Sequence, residues 1–533
     1  MAAEATPVSR ARSVYLFAPF LLCLYVVVVL RTAWLSDDAY ITFRTVDNFV
    51  QGYGLTWNVA ERVQAYTHPL WMLLLAGTYW VTREIHFTSI LFCVVFSVAT
   101  VLFFTARVAV AAFPALIGVA VFIFSKAFVD YSTSGLENPL THLLLLLFLF
   151  VYLTRPPDRK TLLWLSVLAG LLTLTRMDAI LLVLPALCVA FYRVRSLRSL
   201  GTLLLGFAPF LAWEAFALFY YGSLLPNTAY AKLNSGIAAW DLIRQGLLYL
   251  LATLKVDPLT AIVLGAGLAA PVITRQHRHL PVAVGALLYL LYVIRIGGDF
   301  MLGRFLTAPL LVSVVLLSRA ALSNRTGFLM LFLVALIGIA PTRSPLTSGE
   351  DYGNLPGYPR EHNRWICDER AYYYHGTGLL NATRNVEIPD YRLADQGRMA
   401  RERGESVIVI KAIGMQGFFA GPAVHIVDEA ALADPLLARL KPEIDDGWRI
   451  GHLWRRIPEG YVETLQTGRN CLADSNLAAY YDKLALITRG RLFDPRRWQE
   501  IIKFNLGAYD GLLAAAQSSA LEKGDKFNFR ALE

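Results

Sequence analysis

Charge is scarce in this chain. Of 533 residues only 17% are charged, against roughly 25% in ordinary soluble domains, so water is not the main solvent of most of this sequence. Cysteine is scarce too: there are five, with no CxxC pair and no His-rich tract, which removes the ligand sets of structural zinc sites and of disulfide-built scaffolds. No segment concentrates charge of one sign. The formal net charge of +9 is spread over short clusters between apolar runs, unlike the continuous basic face that a nucleic-acid-binding surface needs. Internal repeats and low-complexity tracts are missing. Arg10 and Arg12 precede an apolar run, yet no small-residue cleavage site follows before the polar stretch at Leu35, so that run is expected to stay as a first membrane span.

What is present is apolar surface, 56% of the residues, gathered into blocks such as Tyr15 to Leu30, Leu143 to Leu153, Thr202 to Phe219 and Phe328 to Ala340. Many approach the roughly 20 residues that cross a hydrocarbon core. Basic clusters at Arg10 and Arg12, Arg107, Arg155 to Lys160, Arg193 to Arg198, Arg275 to His279 and Arg319 to Arg325 mark the cytoplasmic side by the positive-inside rule. Between them the spans fall at about 14–34, 88–106, 108–125, 139–154, 162–175, 178–192, 199–221, 258–274, 280–296, 304–318 and 326–341, eleven in all. Leu70 to Val81 is short for a span and is expected to be an interfacial or re-entrant helix in the first external loop. With that choice the polar loops 35–87, 126–138, 222–257 and 297–303 and the bend at Arg176 to Asp178 lie outside, as does everything after Pro341.

The fold expected is therefore an α-helical polytopic membrane module over 1–341 and a soluble extracytoplasmic domain over 342–533, long enough for its own core. Short β-branched runs at Ser406 to Ile410 and Ala423 to Val427, with helical patterns at Leu432 to Leu440 and Leu472 to Leu486, make that domain α/β. Cys23, Cys93 and Cys188 sit in apolar runs as small core residues. Cys367 and Cys471 fall in the soluble part, where an oxidising compartment would allow them to pair.

Chemistry-bearing residues gather on the external side. Ser36-Asp37-Asp38-Ala39-Tyr40 stands where the first span leaves the membrane. One reading is a solvated helix start, capped by Ser36, with the acids complementing the dipole. The other is a general base for an acceptor hydroxyl. Transfer from a lipid phosphate already has a good leaving group, so one carboxylate and some cations suffice. Consecutive helical residues point about 100° apart, so Asp37 and Asp38 cannot share one role. The loop continues through Arg44, Gly52, Gly54, Tyr66, His68 and Trp71; the aromatics suit an interface belt or sugar stacking, and His68 suits phosphate, sugar or a cap before Pro69. Four more clusters converge on this side: Ser134-Gly135-Leu136-Glu137-Asn138; Arg176-Met177-Asp178; Pro226-Asn227-Thr228 with Tyr230 and Lys232; and Gly297-Gly298-Asp299-Phe300 with Arg304. Arg176 and Asp178 lie between apolar runs and need partners. Lys232, Arg295 and Arg304 are the cations available to clamp a phosphate, against a simpler role as snorkelling interfacial residues.

Taken in order, Asp37-Asp38-Ala39-Tyr40 with Phe43-Arg44, Asn58, Glu61-Arg62-Val63 and Tyr66-Thr67-His68-Pro69-Leu70-Trp71 resembles the first external loop of GT-C glycosyltransferases, and most nearly the bacterial polyprenyl-phosphate-dependent arabinofuranosyltransferases. Ser134 to Glu137, Thr175 to Asp178, Leu225 to Thr228, Gly297 to Phe300 with Arg304-Phe305, Gly421-Pro422 to Asp428 and Leu432 to Leu440 are similar to later motifs of that group. Met177 stands where Pro is frequent, and Thr67-His68 where Thr-Asn is common. The resemblance implies a catalytic acid at Asp37 or Asp38 and a polyprenyl-phosphate sugar donor. It also implies an extracytoplasmic glycan, glycolipid or protein acceptor at a bacterial inner membrane. Arg44, His68, Glu137, Arg176, Asp178, Asn227, Lys232, Asp299 and Arg304 are then the donor- and acceptor-binding candidates. Some relatives bind a divalent cation; the sequence itself establishes no metal site.

A flippase or transporter of lipid-linked sugars is the alternative of a different class. Transporters place their site near the bilayer midplane between repeated halves, whereas here the charges cluster at one face. Within the transferase class, mannose or another sugar is the alternative to arabinose.

Overall fold

The protein is described from a computed structural model covering residues 14–522, apart from 234, 321, 350–359, 362–365, 384–385 and 445–446. It is mostly helical. All eleven expected spans coincide with helices, among them Val14–Arg31, His86–Phe103, Asn138–Thr154, Arg159–Thr175, Ile180–Arg193, Leu280–Arg295 and Thr307–Leu317. The expected interfacial segment is the Pro69–Thr82 helix, with Pro69 in its first turn where the missing N–H costs nothing. By length and composition, two helices among the described residues are long and apolar enough to cross a membrane, His86–Val108 and His277–Arg295, or up to four if each of two bent pairs is one span. One of those pairs corrects the sequence reading of 222–257 as loop. Ala239–Val256 is a helix, joined to Pro258–Ile273 through a 114° bend at Asp257, whose carboxylate accepts from Thr260 N. Its three charges (Asp241, Arg244, Lys255) and Gln245 conceal an otherwise apolar stretch.

The chain divides into two compact units, and the division does not follow a single cut at residue 341. The first contains the residues up to Ala39, His68–Trp213 and Ile237–Arg392; the second contains Tyr40–Thr67, Glu214–Gly236 and everything from Leu393. In the first unit, helices approach closely wherever one presents glycine. A Cβ on Gly285 would strike Leu182 O, one on Gly246 would strike Ile294 O, and one on Gly267 would strike Ser313. Apolar helices gain their contact from such small residues when water does not drive them together.

In the second unit Val407–Ile410 pairs in parallel with His425–Asp428, in register from Val407↔His425 to Ile410↔Asp428. A parallel pair needs a crossover, and the Met415–Ala420 helix supplies it. Both strands match the sequence expectation. Of the expected Leu432 to Leu440 helix only the single turn Leu437–Arg439 forms, because Asp434 accepts hydrogen bonds from Leu436 N at 2.9 Å and Leu437 N at 2.8 Å and closes a local turn instead. Ser475–Arg489 follows as a full helix. The pairing considered for Cys367 and Cys471 does not form: neither is in a disulfide. Cys367 lies in the first unit, its backbone bonded to Phe300 O and Leu302 N. Cys471 lies in the second, its Sγ 3.9 Å from Thr467 Oγ1.

Candidate active site

Helix ends build the site, and all its core residues belong to the first unit. Ser36 caps the Asp37–Val50 helix, its Oγ accepting from Ala39 N at 3.3 Å, and both aspartates occupy the first turn. The capping reading therefore holds, and it leaves the two carboxylates diverging as helix geometry requires. Asp37 is buried and Asp38 half-buried. The stretch leading into them is fixed by the Glu369–Thr377 helix. Thr377 Oγ1 donates to Leu35 O at 2.9 Å, Arg370 Nε to Thr32 O at 3.1 Å, and Tyr374 OH to Arg31 O at 2.7 Å. Ser36 N in turn donates to Ser134 O at 3.0 Å.

Glu137 is the hub of the charged cluster. It sits at the start of the Asn138–Thr154 helix without capping it. Its Oε1 accepts from Arg176 Nη1 at 3.1 Å and from Arg304 Nη2 at 3.2 Å, and His68 Nδ1 lies 3.4 Å from Oε2. Arg176 holds Asp178 with two bonds, Nε to Oδ1 at 3.0 Å and Nη2 to Oδ2 at 2.6 Å, and stacks on Phe305 at 4.7 Å. Arg304 Nη1 lies 3.8 Å from Asp299 Oδ2. His68 makes no side-chain cap before Pro69, so the capping alternative for it falls away; its ring faces Glu137 instead. Gly303, at φ +79°, turns the chain into the Arg304–Leu306 turn, and a Cβ there would come within 2.7 Å of Ala127. Burial alone would raise the Glu137 carboxyl, but Arg304, His68 and Arg176 outweigh it and hold it at about 2. Burial, opposed by Glu137 and aided by Arg304 and Arg176, takes the His68 imidazole down to about 4. The ring is neutral at physiological pH.

The two aspartates address different neighbours. Asp38 acts on Arg304, beside the stronger influence of Glu137 and Asp299. Asp37 acts instead on Tyr373, whose phenol is raised by burial first and then by Asp37 and Glu369. Tyr373 packs 5.2 Å from Tyr391 and 4.8 Å from Tyr372. Several buried polar atoms here have no hydrogen-bond partner among the described residues: Arg304 Nε, Asn138 Oδ1, Thr133 Oγ1 and Ser134 Oγ. Such orphans are uncommon in a closed protein interior, and these four lie beside the charged cluster or in the segment leading into it. No group of three or more His, Cys, Asp or Glu that could hold a metal ion occurs among the described residues. Glu137, Asp178 and Asp299 each face an arginine, a donor set that does not suit a divalent cation.

Of the candidates read from sequence, His68, Glu137, Arg176, Asp178, Asp299 and Arg304 are brought together by ion pairs, and Asp37 and Asp38 stand in the first turn of the Asp37–Val50 helix. Arg44, Asn227 and Lys232 belong to the second unit. Arg44 is buried on the face of Trp57 at 4.6 Å, donating to Trp57 O at 2.7 Å, Val424 O at 2.8 Å and Gly417 O. Asn227 Nδ2 donates to the carbonyls of Ala431, Leu432 and Asp434 at 3.0, 3.1 and 3.0 Å. Lys232 is exposed. Sequence reasoning missed Glu369, Tyr373, Tyr391 and Tyr289, whose OH is 3.4 Å from Arg176 Nη2. The one signal for the first two was the run Asp368-Glu369-Arg370 before Tyr372-Tyr373-Tyr374.

Homology supports the class of enzyme, a glycosyltransferase, through the relatives this chain is similar to. The chain is 26% identical to the terminal beta-(1->2)-arabinofuranosyltransferase of Mycobacterium tuberculosis, over 80% of this chain and 82% of that protein. It is 31% identical to the enzyme of the same name from Corynebacterium glutamicum, over 52% of this chain and 46% of that one. Its fold matches the crystal structure of ArnT from Cupriavidus metallidurans bound to undecaprenyl phosphate, with a TM-score of 0.50 and 13% identity over 80% of this chain and 87% of that chain. No family model matches the chain.

Proposed function

We propose that this protein moves D-arabinofuranose from a polyprenyl-phosphate donor to an extracytoplasmic glycan, glycolipid or protein acceptor. It would lie in a bacterial inner membrane with about eleven spans, its N-terminus cytoplasmic and residues 342–533 periplasmic. The observation that carries the reading is the pair of arginines, Arg176 and Arg304, gathered on the buried Glu137, with Asp37 and Asp38 in the first turn of the helix that follows the first span. That arrangement separates a place for the phosphate from a place for the nucleophile. The arabinofuranosyltransferase homologues support the sugar. The undecaprenyl phosphate in the structural relative supports the carrier.

In this mechanism Asp37 accepts the proton of the acceptor hydroxyl as its oxygen attacks the anomeric carbon. The bond from that carbon to the phosphate oxygen breaks, and the polyprenyl phosphate leaves with the electron pair. Arg304 and Arg176 stabilise the negative charge that develops there, and Glu137 holds both in place. A single base opposite the leaving group gives inversion at the anomeric carbon.

The test is transfer by purified protein from synthetic polyprenyl-phosphate arabinofuranose and from the mannose analogue, using wild type, Asp37→Asn and Asp38→Asn. The expected result is transfer of arabinose alone, abolished in Asp37→Asn with expression and insertion intact. Full activity in both variants would overturn the base assignment. Transfer of mannose alone would overturn the sugar, and no transfer from either donor would favour the flippase.

A further inference from the structure

The second unit holds a cavity of about 420 Å³ that the proposed chemistry does not use. Its volume lies within the roughly 300–1,000 Å³ of small-ligand sites. Four aromatic residues contribute to its wall, Tyr221, Tyr230, Tyr480 and Phe504, together with the polar side chains of Arg439, Asn505 and Asp510. Tyr480 and Phe504 pack at 5.1 Å, while Arg439 lies flat on the Tyr230 ring at 4.6 Å. The rings are thus held as fixed faces.

Charge decides what fits. Arg439 already donates to Pro435 O at 2.7 Å and lies 3.5 Å from Asn227 Oδ1, so its guanidinium is anchored within the protein. The Asp510 carboxylate balances it and repels phosphate or carboxylate ligands. The cavity is neutral overall. An acyl chain would strip water from Arg439, Asn505 and Asp510 and return no hydrogen bonds, at a cost of roughly 1–3 kcal/mol for each group left bare. A neutral oligosaccharide answers both halves of the wall. Its C–H faces lie on aromatic rings, and its hydroxyls donate to Asp510 and to the Asn505 side-chain oxygen, whose amide hydrogens are taken by Gly222 O and Ile501 O, and accept from Arg439.

We propose that this cavity is a saccharide-binding site that holds non-reacting sugar residues of the acceptor chain. The assignment rests on the transferase reading for the identity of its ligand, and on the cavity's own chemistry for its class. By holding a chain beyond the residue that reacts, it makes long acceptors better substrates than short ones.

The experiment is binding and transfer by the full-length protein in detergent micelles. The probes are an arabinofuranosyl hexasaccharide, a mannohexaose, a maltohexaose and dodecyl phosphate, with methyl arabinofuranoside as the short acceptor. Wild type should bind the arabinofuranosyl hexasaccharide, and both Tyr230→Ala and Asp510→Asn should weaken its Kd at least tenfold. Both should raise KM for that acceptor without moving kcat or KM for the short one. Asp510 is exposed, so its variant tests the site even if Tyr230→Ala unfolds. Binding of manno- or malto-hexaose instead, with the same dependence on Tyr230 and Asp510, would uphold the saccharide site and remove arabinose from the proposed function. Hexasaccharide binding without transfer from any donor would likewise uphold the site while the transferase reading failed. No hexasaccharide binding, equal binding in wild type and both variants, or binding of dodecyl phosphate alone would each overturn the proposal.

Discussion

Arg304 reaches Glu137 across 167 residues of chain, placing Nη2 3.2 Å from Oε1. The same carboxylate oxygen accepts from Arg176, so one buried acid holds two guanidinium groups in place. Arg304 is thereby aimed by Glu137 rather than by its own flexible stem, and charge stabilisation works best when the donors are fixed before reaction.

Removing that acid should therefore do two separable things. Glu137→Ala leaves two half-buried cations short of their buried partner, and breaking one side of such a pair costs about 3–5 kcal/mol. The expected result is a large fall in Tm or loss of folded protein, read by thermal unfolding in micelles. Glu137→Gln keeps the shape and one acceptor oxygen. It should remain folded while kcat/KM for the donor falls by about 100-fold, a transition-state loss near 2.7 kcal/mol. Equal kinetics in Glu137→Gln and wild type would remove Glu137 from the aiming of the arginines.

The acid limb of stability follows from His68. Its folded value near 4 lies below the ordinary value of about 6.5, so the unfolded chain binds the extra proton first. Stability from this group is complete above about 6.5 and drains away as pH falls toward 4. Glu137, held at about 2, adds a further loss below its ordinary range. Lowering pH from 7 to 4 should cost the wild type on the order of 3 kcal/mol through His68, seen as falling Tm. His68→Gln should flatten that part of the curve. A variant whose Tm falls as steeply as the wild type between pH 6.5 and 4 would show that His68 is not the titrating group.

How much of this was legible in sequence depends on where each residue stands. Glu137, Arg176, Asp178, Asp299 and Arg304 could be read because charge beside apolar helices is rare and needs a reason. Each sits at or beside a helix end or a break between helices. Tyr289 could not, since a tyrosine inside the apolar Leu280–Arg295 helix looks like any core aromatic until its OH meets Arg176. Nor could Glu369 and Tyr373, because their helix acts on residues 31–35 from more than 330 positions away. No local pattern encodes that distance. The division into units was hidden for the same reason: residues 40–67 and 214–236 group with the chain after Leu393, although their motifs read as loops of the helical module.

Asn227 illustrates a polar residue whose value is structural. One amide donates to three backbone carbonyls of the Ala431–Asp434 turn; Asp434 O also accepts from Ala438 N at 3.2 Å. Asn227→Ala should destabilise the second unit by about 1–3 kcal/mol through those bared carbonyls, measured as a lower Tm. Asn227→Asp should be no milder, because an ionised carboxylate has no donor to offer. Unchanged Tm in Asn227→Ala, with donor KM raised, would make Asn227 a ligand-binding residue instead.

The two candidate phosphate cations should part company. Arg304 is half-buried, stands 3.2 Å from Glu137, and keeps its Nε without a hydrogen-bond partner among the described residues. Lys232 is exposed, where a single flexible ammonium gains little from any one geometry. Arg304→Lys retains the charge but loses the planar fork that presents Nε and Nη2 together, so donor kcat/KM should fall by at least 30-fold while acceptor KM stays put. Lys232→Ala should change donor kcat/KM less than threefold at physiological ionic strength. It should show whatever effect it has only at low salt, where exposed charges act over longer distances. If Lys232→Ala proved the more damaging of the two at high salt, the phosphate would have to be placed against the second unit, and the arginine cluster would become a structural device for closing the helical one.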